Sequence, residues 1–195
     1  MSGKKKLEVI SEDRTPQKWC VSLREDVFDS FISQGSPIVQ KVFSDGSLFS
    51  PLLFGKFFDP SDAFPLWEFE SDNLLSGLRS SGKSTVDWFE TDTDYVLTSE
   101  LPGVGMCNAQ VSVENKKVVE ISGQWKQHRE SNSNDWRNGN WWELGYVRRL
   151  ELPENADWRK IEANLDNNIL LEIRVPKISD IAKGNDAVPK DSEIV

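Results

Sequence analysis

One run in this chain matches a nucleotide-binding pattern letter for letter. Gly77-Leu78-Arg79-Ser80-Ser81-Gly82-Lys83-Ser84 fits G-x-x-x-x-G-K-S. A phosphate loop works because a buried parallel strand delivers it and the helix after it aims its N-terminal amides at the phosphates. Here Asn73-Leu74-Leu75-Ser76 is too short and polar for a buried strand, and Val86-Asp87-Trp88-Phe89 reads as a further strand where a helix is needed. No apolar strand ends in a magnesium-binding aspartate. The run is read as part of a Ser/Gly-rich linker over residues 71–85, with a nucleotide binder as a remote alternative.

The other reactive side chains are no better placed. His128, the only histidine, lies in a polar loop and reads as solvated; Cys20 and Cys107 lack metal-ligand spacing; 32 carboxylates permit pairs of acids, but no motif selects one. No catalytic residue, no metal ligand and no cofactor is expected, and the chain is not read as an enzyme. Trp136, Trp141 and Trp142, on an Asn/Gly-rich loop, have the chemistry to stack sugar rings.

Composition narrows the class further. With 195 residues, 28% charged residues and a mean hydropathy of −0.51, the chain reads as one folded domain with appendages. A net charge of −9 disfavours nucleic acid and anionic membranes as partners, and Lys4-Lys5-Lys6 reads as a solvated N-terminus. Two cysteines, with no signal-peptide core and no apolar run of about eighteen residues, fit a reducing cytoplasm, with the nucleus as a second location.

Thr15-Pro16, an apolar stripe from Trp19 to Ile32, and Gly35 predict a helix from Pro16 to Gln34; Ser50-Pro51 predicts a second, running to Asp59. Nine of the ten phenylalanines lie between Phe28 and Phe69, in a region broken by prolines. That segment is either a small helical subdomain packing on itself or an adhesive surface for other chains.

From Val86 onward the period is two. Glu114 to Lys117 reads as a hairpin turn, and Ser122-Gly123 as a strand end. In Ile161 to Pro176 the apolar residues Ile161, Ala163, Leu165, Ile169, Leu171, Ile173 and Val175 sit at odd positions, so parity predicts a hairpin pairing Leu165 with Ile169, Ala163 with Leu171 and Ile161 with Ile173. Asp166-Asn167-Asn168 would be its loop, with Asn168 left-handed. Many short strands separated by turns predict an all-β, immunoglobulin-like antiparallel β-sandwich with a partly helical, largely flexible N-terminal arm and a flexible C-terminal tail.

Several of these residues together resemble a known family. Val86-Asp87-Trp88-x-Glu90-Thr91, Leu101-Pro102-Gly103, Val111-x-Val113-Glu114, Ile121-Ser122-Gly123, Arg148-Arg149-x-x-Leu152-Pro153-Glu154-Asn155, Ala163-x-x-x-Asn167, Leu170 and Val175-Pro176-Lys177 run in the order found in small heat shock proteins with an α-crystallin domain, of the plant cytosolic kind. Phe58-Asp59-Pro60 with Leu66-Trp67 is similar to that family's N-terminal motif. The resemblance divides the chain into an N-terminal aromatic-rich arm (1–70), the linker (71–85), an α-crystallin domain (86–177) and a C-terminal tail (178–195).

It implies an ATP-independent chaperone that holds unfolding clients, dimerises by exchanging a strand from the long loop, and assembles with itself or with other small heat shock proteins. Candidate client-binding residues are Phe49, Leu52, Leu53, Phe54, Phe57, Phe58, Phe64 and Trp67. Trp141, Trp142, Arg148 and Arg149 are the implied dimer interface, and Val111, Val113, Ile161, Ala163 and Leu165 border an edge groove that receives a neighbour's tail. Family members plug that groove with I-x-I or I-x-V, whereas Ile178-Ser179-Asp180-Ile181 places its isoleucines on opposite faces of an extended strand. The missing plug makes the chain similar to a divergent minor class, class VI, and leaves the groove empty, capped in cis, or offered to another family member. A client-specific adaptor or co-chaperone of the same sandwich type is the alternative.

Overall fold

A computed structural model describes residues 3–12, 23–51, 63–66, 82, 84–101, 109–125, 136, 140–167 and 169–179. One sheet runs β1 (Lys4–Leu7), β9 (Glu162–Asp166), β10 (Leu170–Pro176), β5 (Asp94–Glu100) and β4 (Val86–Glu90). The other runs β2 (Val9–Glu12), β6 (Gln110–Glu114), β7 (Val118–Gln124), β8 (Gly145–Glu151) and β3 (Phe64–Pro65). Neighbours are antiparallel except β2 on β6 and β3 on β8, which are parallel.

The alternation read from the sequence becomes the core. Leu171, Ile173 and Val175 of β10 and Ala163 and Leu165 of β9 are buried, as are Val86, Trp88 and Leu97 of the same sheet and Val111, Val113, Val119 and Ile121 of the other. Each such side chain contributes about 1.5–3 kcal/mol by leaving water. The expected hairpin turn at Glu114–Lys117 forms: Lys117 N donates to Glu114 O at 3.0 Å, and Asn115 and Lys116 take φ of 50° and 61°. Positive φ at both central residues is the geometry that matches strand twist in a tight hairpin.

The β9–β10 register differs from the parity expectation by two residues. Leu171 faces Leu165 and Ile173 faces Ala163, so Ile169 falls in the turn and is half exposed. Asn167, with φ 51°, is left-handed there; Asn168 lies outside the described residues. Strand parity cannot tell a register from one shifted by two, and the fit of the apolar rows decides between them.

The N-terminal part also departs from expectation. The helix expected from Pro16 is α1, Glu25–Gln34, preceded by Arg24 in extended conformation; Thr15-Pro16 lies outside the described residues. Its acidic first turn, Glu25 and Asp26, complements the helix dipole. A further helix, α2 (Pro37–Val42), starts at Ser36, whose side chain accepts from Val39 N, with proline at the first position. The second expected helix, beyond Pro51, lies outside the described residues. Lys4-Lys5-Lys6, expected to be a solvated end, forms most of β1.

Two details near the long loop differ from expectation as well. β7 continues through Ser122-Gly123 to Gln124, because Gly123 stands opposite Tyr146 and Gln124 opposite Gly145. Trp141–Leu144 forms one short helical turn, α3, with both tryptophans buried. Phe43, after α2, touches Phe28 of α1 (5.5 Å), Trp125 (6.0 Å) and Trp141 (6.3 Å) edge to face, which joins the helices to the sandwich.

Candidate functional site

The two adjacent arginines of β8 point to opposite faces. Arg148 stands opposite Ile121 and so shares a face with the apolar row; Arg149 stands opposite Glu120 on the other face. Arg148 has no solvent exposure. Its Nε donates to Leu48 O at 2.7 Å and its Nη2 to Ser50 O at 2.6 Å, and the guanidinium lies 5.5 Å from the Phe64 ring. Its planar fork therefore engages two carbonyls of a segment about a hundred residues earlier, which a lysine's point charge does not reproduce. Burial pushes the guanidinium down from its ordinary value to about 9, so it remains a cation at neutral pH. Phe49, between the two carbonyls, packs on Tyr146 at 4.6 Å.

Arg149 pairs with Glu114 at 2.7 Å and lies 4.0 Å from Glu120, all three nearly excluded from solvent. Sequence reasoning did not find this buried cluster at sheet positions 114, 120 and 149. The signal was alternation: Glu114 and Glu120 each occupy the polar phase of a strand, on the face that Arg149 also takes.

Of the expected client-binding residues, Phe49 and Phe64 are buried against the sandwich, while Leu52, Leu53, Phe54, Phe57, Phe58 and Trp67 lie outside the described residues. Trp141, Trp142, Arg148 and Arg149 are all buried inside the protomer, at 2% exposure or less. In this conformation they offer no side-chain area to a second subunit. The same burial removes the sugar-stacking reading of Trp141 and Trp142, and Trp136 packs against the core.

The phosphate-loop reading fails on the element downstream of the run. Ser84 exchanges side-chain hydrogen bonds with the backbone of Val86, and the chain enters strand β4 where a phosphate loop needs a helix. Of that run only Gly82 and Ser84 are described; His128, Cys20 and Cys107 lie outside the described residues. Among the described residues no helix is long and apolar enough to cross a membrane.

The edge-groove residues come together. Val111 and Val113 on β6, Ala163 and Leu165 on β9, and Ile161 just before β9 are all buried, and the chain's own β1 and β2 cover them. Leu7 stands opposite Ala163, and Val9 opposite Val111. Sequence reasoning did not place Leu7 and Val9 against these strands; their i, i+2 spacing was the available signal.

The profile of the Hsp20/alpha crystallin family matches residues 87–190. A 21.7 kDa class VI heat shock protein of Arabidopsis thaliana is 57% identical over 91% of this chain and 95% of its own length. A 22.3 kDa class VI heat shock protein of Oryza sativa subsp. japonica is 48% identical over 86% of this chain and 89% of its own. A crystallised small heat-shock protein of Xylella fastidiosa is 25% identical, over 56% of this chain and 94% of that one, with a TM-score of 0.33. The chain belongs to the Hsp20/alpha crystallin family of non-enzymatic stress chaperones, as a plant small heat shock protein of class VI.

Proposed function

We propose that the chain is an ATP-independent holdase that binds unfolding proteins through apolar N-terminal side chains and keeps them from aggregating under heat or other stress. A holdase needs apolar area that is shielded at rest and can be released. The observation that supports the reading is where the described part of the N-terminal region keeps its apolar side chains: Phe28, Val42, Phe43, Leu48, Phe49, Phe64 and Leu66 are buried within one continuous core with the sandwich. Apolar packing covers this layer, and Arg148 adds two polar contacts that hold it down. Phe49, Leu52, Leu53, Phe54, Phe57, Phe58, Phe64 and Trp67 form the proposed client-binding set, in the aromatic-rich arm of residues 1–70.

The proposed partners are unfolding clients and other copies of this chain or related small heat shock proteins, and the proposed location is the cytoplasm. Trp141, Trp142, Arg148 and Arg149 form the proposed dimer seam; Trp141 and Arg148, which the N-terminal layer touches, enter it on this reading only after that layer has lifted. The test replaces Leu52, Leu53, Phe57 and Phe58 with serine and follows light scattering of a thermolabile client on heating. The variant should lose suppression while its sandwich melts at the wild-type temperature. Wild-type suppression by this variant defeats the reading.

A further inference from the structure

The connection from β8 to β9 builds a cleft where β10 ends. A short 3-10 turn, Trp158–Lys160, is capped by Asp157, whose side chain accepts from Arg159 N at 3.3 Å. The backbone ties this connection to the end of β10: Asp157 N donates to Pro176 O at 2.7 Å, Ile178 N donates to Asn155 O at 2.7 Å, and Ala156 stands opposite Lys177. Between the two lies a cleft of about 640 Å³, lined by Asp157, Trp158, Arg159, Lys160, Ile178 and Ser179, a volume within the range of binding pockets. Its apolar part is Trp158, partly buried against the core, and Ile178, 49% exposed. Its polar part is cationic. Arg159 lies 5.2 Å from the centroid of the Trp158 ring, and Lys116, from the β6–β7 turn, lies 5.8 Å from it, so the ring holds both charges at the cleft. Lys160 pairs with Asp157, the one carboxylate among the described lining residues, at 3.1 Å. No described carboxylate lies within ion-pair distance of Lys116 or Arg159.

We propose that this cleft docks an acidic segment of another protein, whose carboxylates meet Lys116, Arg159 and Lys160 while an apolar side chain between them lies against Trp158 and Ile178. Charge complementarity selects the partner. On a chain of net charge −9 the cleft is an island of positive charge, so an anionic segment is drawn to it and repelled by the rest of the surface. The arginine fork matches a carboxylate with two parallel hydrogen bonds, and the lysines add point charges. The volume and the apolar wall suit more than a lone anion, because Trp158 and Ile178 gain only from an apolar group that leaves water with them. Backbone ties to β10 and the contacts of two cations with one ring set the shape of the cleft before anything binds, which lowers the ordering cost of docking. None of these residues belongs to a strand or to the proposed client-binding set, so the site stands apart from the holdase reading. It gives the chaperone a second kind of partner, recognised by charge and one apolar side chain.

Fluorescence polarisation with the full-length chain tests this, the probe being a labelled synthetic peptide with a leucine between two pairs of glutamates. Wild type should bind it saturably, less tightly as salt is raised. Lys116→Gln/Arg159→Gln changes two exposed side chains, so the fold should be kept and the affinity should fall roughly tenfold or more. A probe with serine in place of leucine should also bind wild type more weakly. In Asp180→Asn/Asp186→Asn/Asp191→Asn/Glu193→Gln the affinity should equal that of wild type. No binding by wild type, equal binding by the glutamine variant, or equal binding of a probe with lysines in place of the glutamates would each overturn the proposal. So would tighter binding of a single-stranded oligonucleotide of the same charge, which would assign the cleft to phosphates, or much tighter binding by the variant without tail carboxylates, which would make the chain's own C-terminal residues the occupant.

Discussion

Arg148→Met asks whether one side chain holds segment 43–51 to the sandwich. The guanidinium satisfies the carbonyls of Leu48 and Ser50 from 2.7 and 2.6 Å in a position closed to solvent. Methionine keeps an apolar stem but donates nothing, so two buried acceptors are orphaned at about 1–3 kcal/mol each, roughly 2–6 kcal/mol together. Against this, the variant no longer buries a cation, a burial costly enough to push the guanidinium down to about 9. Replacing a buried charge by an apolar side chain recovers part of the loss, which leaves about 2–4 kcal/mol.

Where that loss appears is the decisive point. β8 keeps its ladder with β7, whereas segment 43–51 can lift and let water reach its carbonyls, so the cost should emerge as local opening. At 1.4 kcal/mol per decade the opening equilibrium rises about 30- to 700-fold. Native-state hydrogen exchange reads it at the amides of Phe49, bonded to the Ser47 hydroxyl, and of Thr85, bonded to Gly46 O. Arg148→Lys keeps the charge without the fork and should open the same amides. Wild-type protection in Arg148→Met refutes the reasoning, as does a loss of β7–β8 protection in step with them.

Three further substitutions test the packing. A Cβ on Gly145 would lie 2.1 Å from Gly123 O, so Gly145→Ala forces two backbones apart and should cost about 1–3 kcal/mol, seen as a melting temperature lower by several degrees; an unchanged melt refutes the close approach. Arg149→Met strips the buried Glu114 carboxylate of its 2.7 Å partner and should cost about 3–5 kcal/mol in chemical denaturation, part of it recovered by adding Glu114→Leu; equal losses in the single and double variants would contradict a coupled pair. Lys116→Gly relieves a non-glycine residue at φ 61° and should stabilise the chain by up to about 1 kcal/mol in thermal unfolding, whereas destabilisation would argue against the left-handed turn.

The sandwich was legible because its strands carry their own signal. The alternation around Val111, Val119 and Leu171 states which face is buried, and the turn at Glu114–Lys117 closes a hairpin between near neighbours. The register at Leu165 was not legible, since Ile169 has the parity of a core residue and only the finished core shows that it has no place there. Non-local pairings left still less trace. Lys4-Lys5-Lys6 carries no apolar alternation, and its ladder comes from the bare edge of β9, some 160 positions away. Arg148 could be selected by the resemblance, but nothing near it in the chain announces carbonyl partners 100 and 98 residues earlier.

These non-local pairings share one effect. Without residues 3–66, the sandwich would present four strand edges: β9, β6, β8 and β4. Strands β1, β2 and β3, of four, four and two residues, cover the first three, and among the described residues β4 alone is uncovered. Short strands blunt an edge against adding further chains, and β4 carries exposed Asp87 and Glu90 beside an exposed Phe89, so charge limits the remaining one. The N-terminal region therefore closes sheet edges with the same stretch that, on the proposed function, supplies apolar side chains to clients. Lifting that layer would expose both at once: Phe43, Phe49 and Phe64 would leave the core as the edge of β8 and the fork of Arg148 were freed. Client binding and strand-mediated assembly would then be two outcomes of one opening, and a condition that promotes the first without the second would separate the N-terminal strands from the adhesive arm.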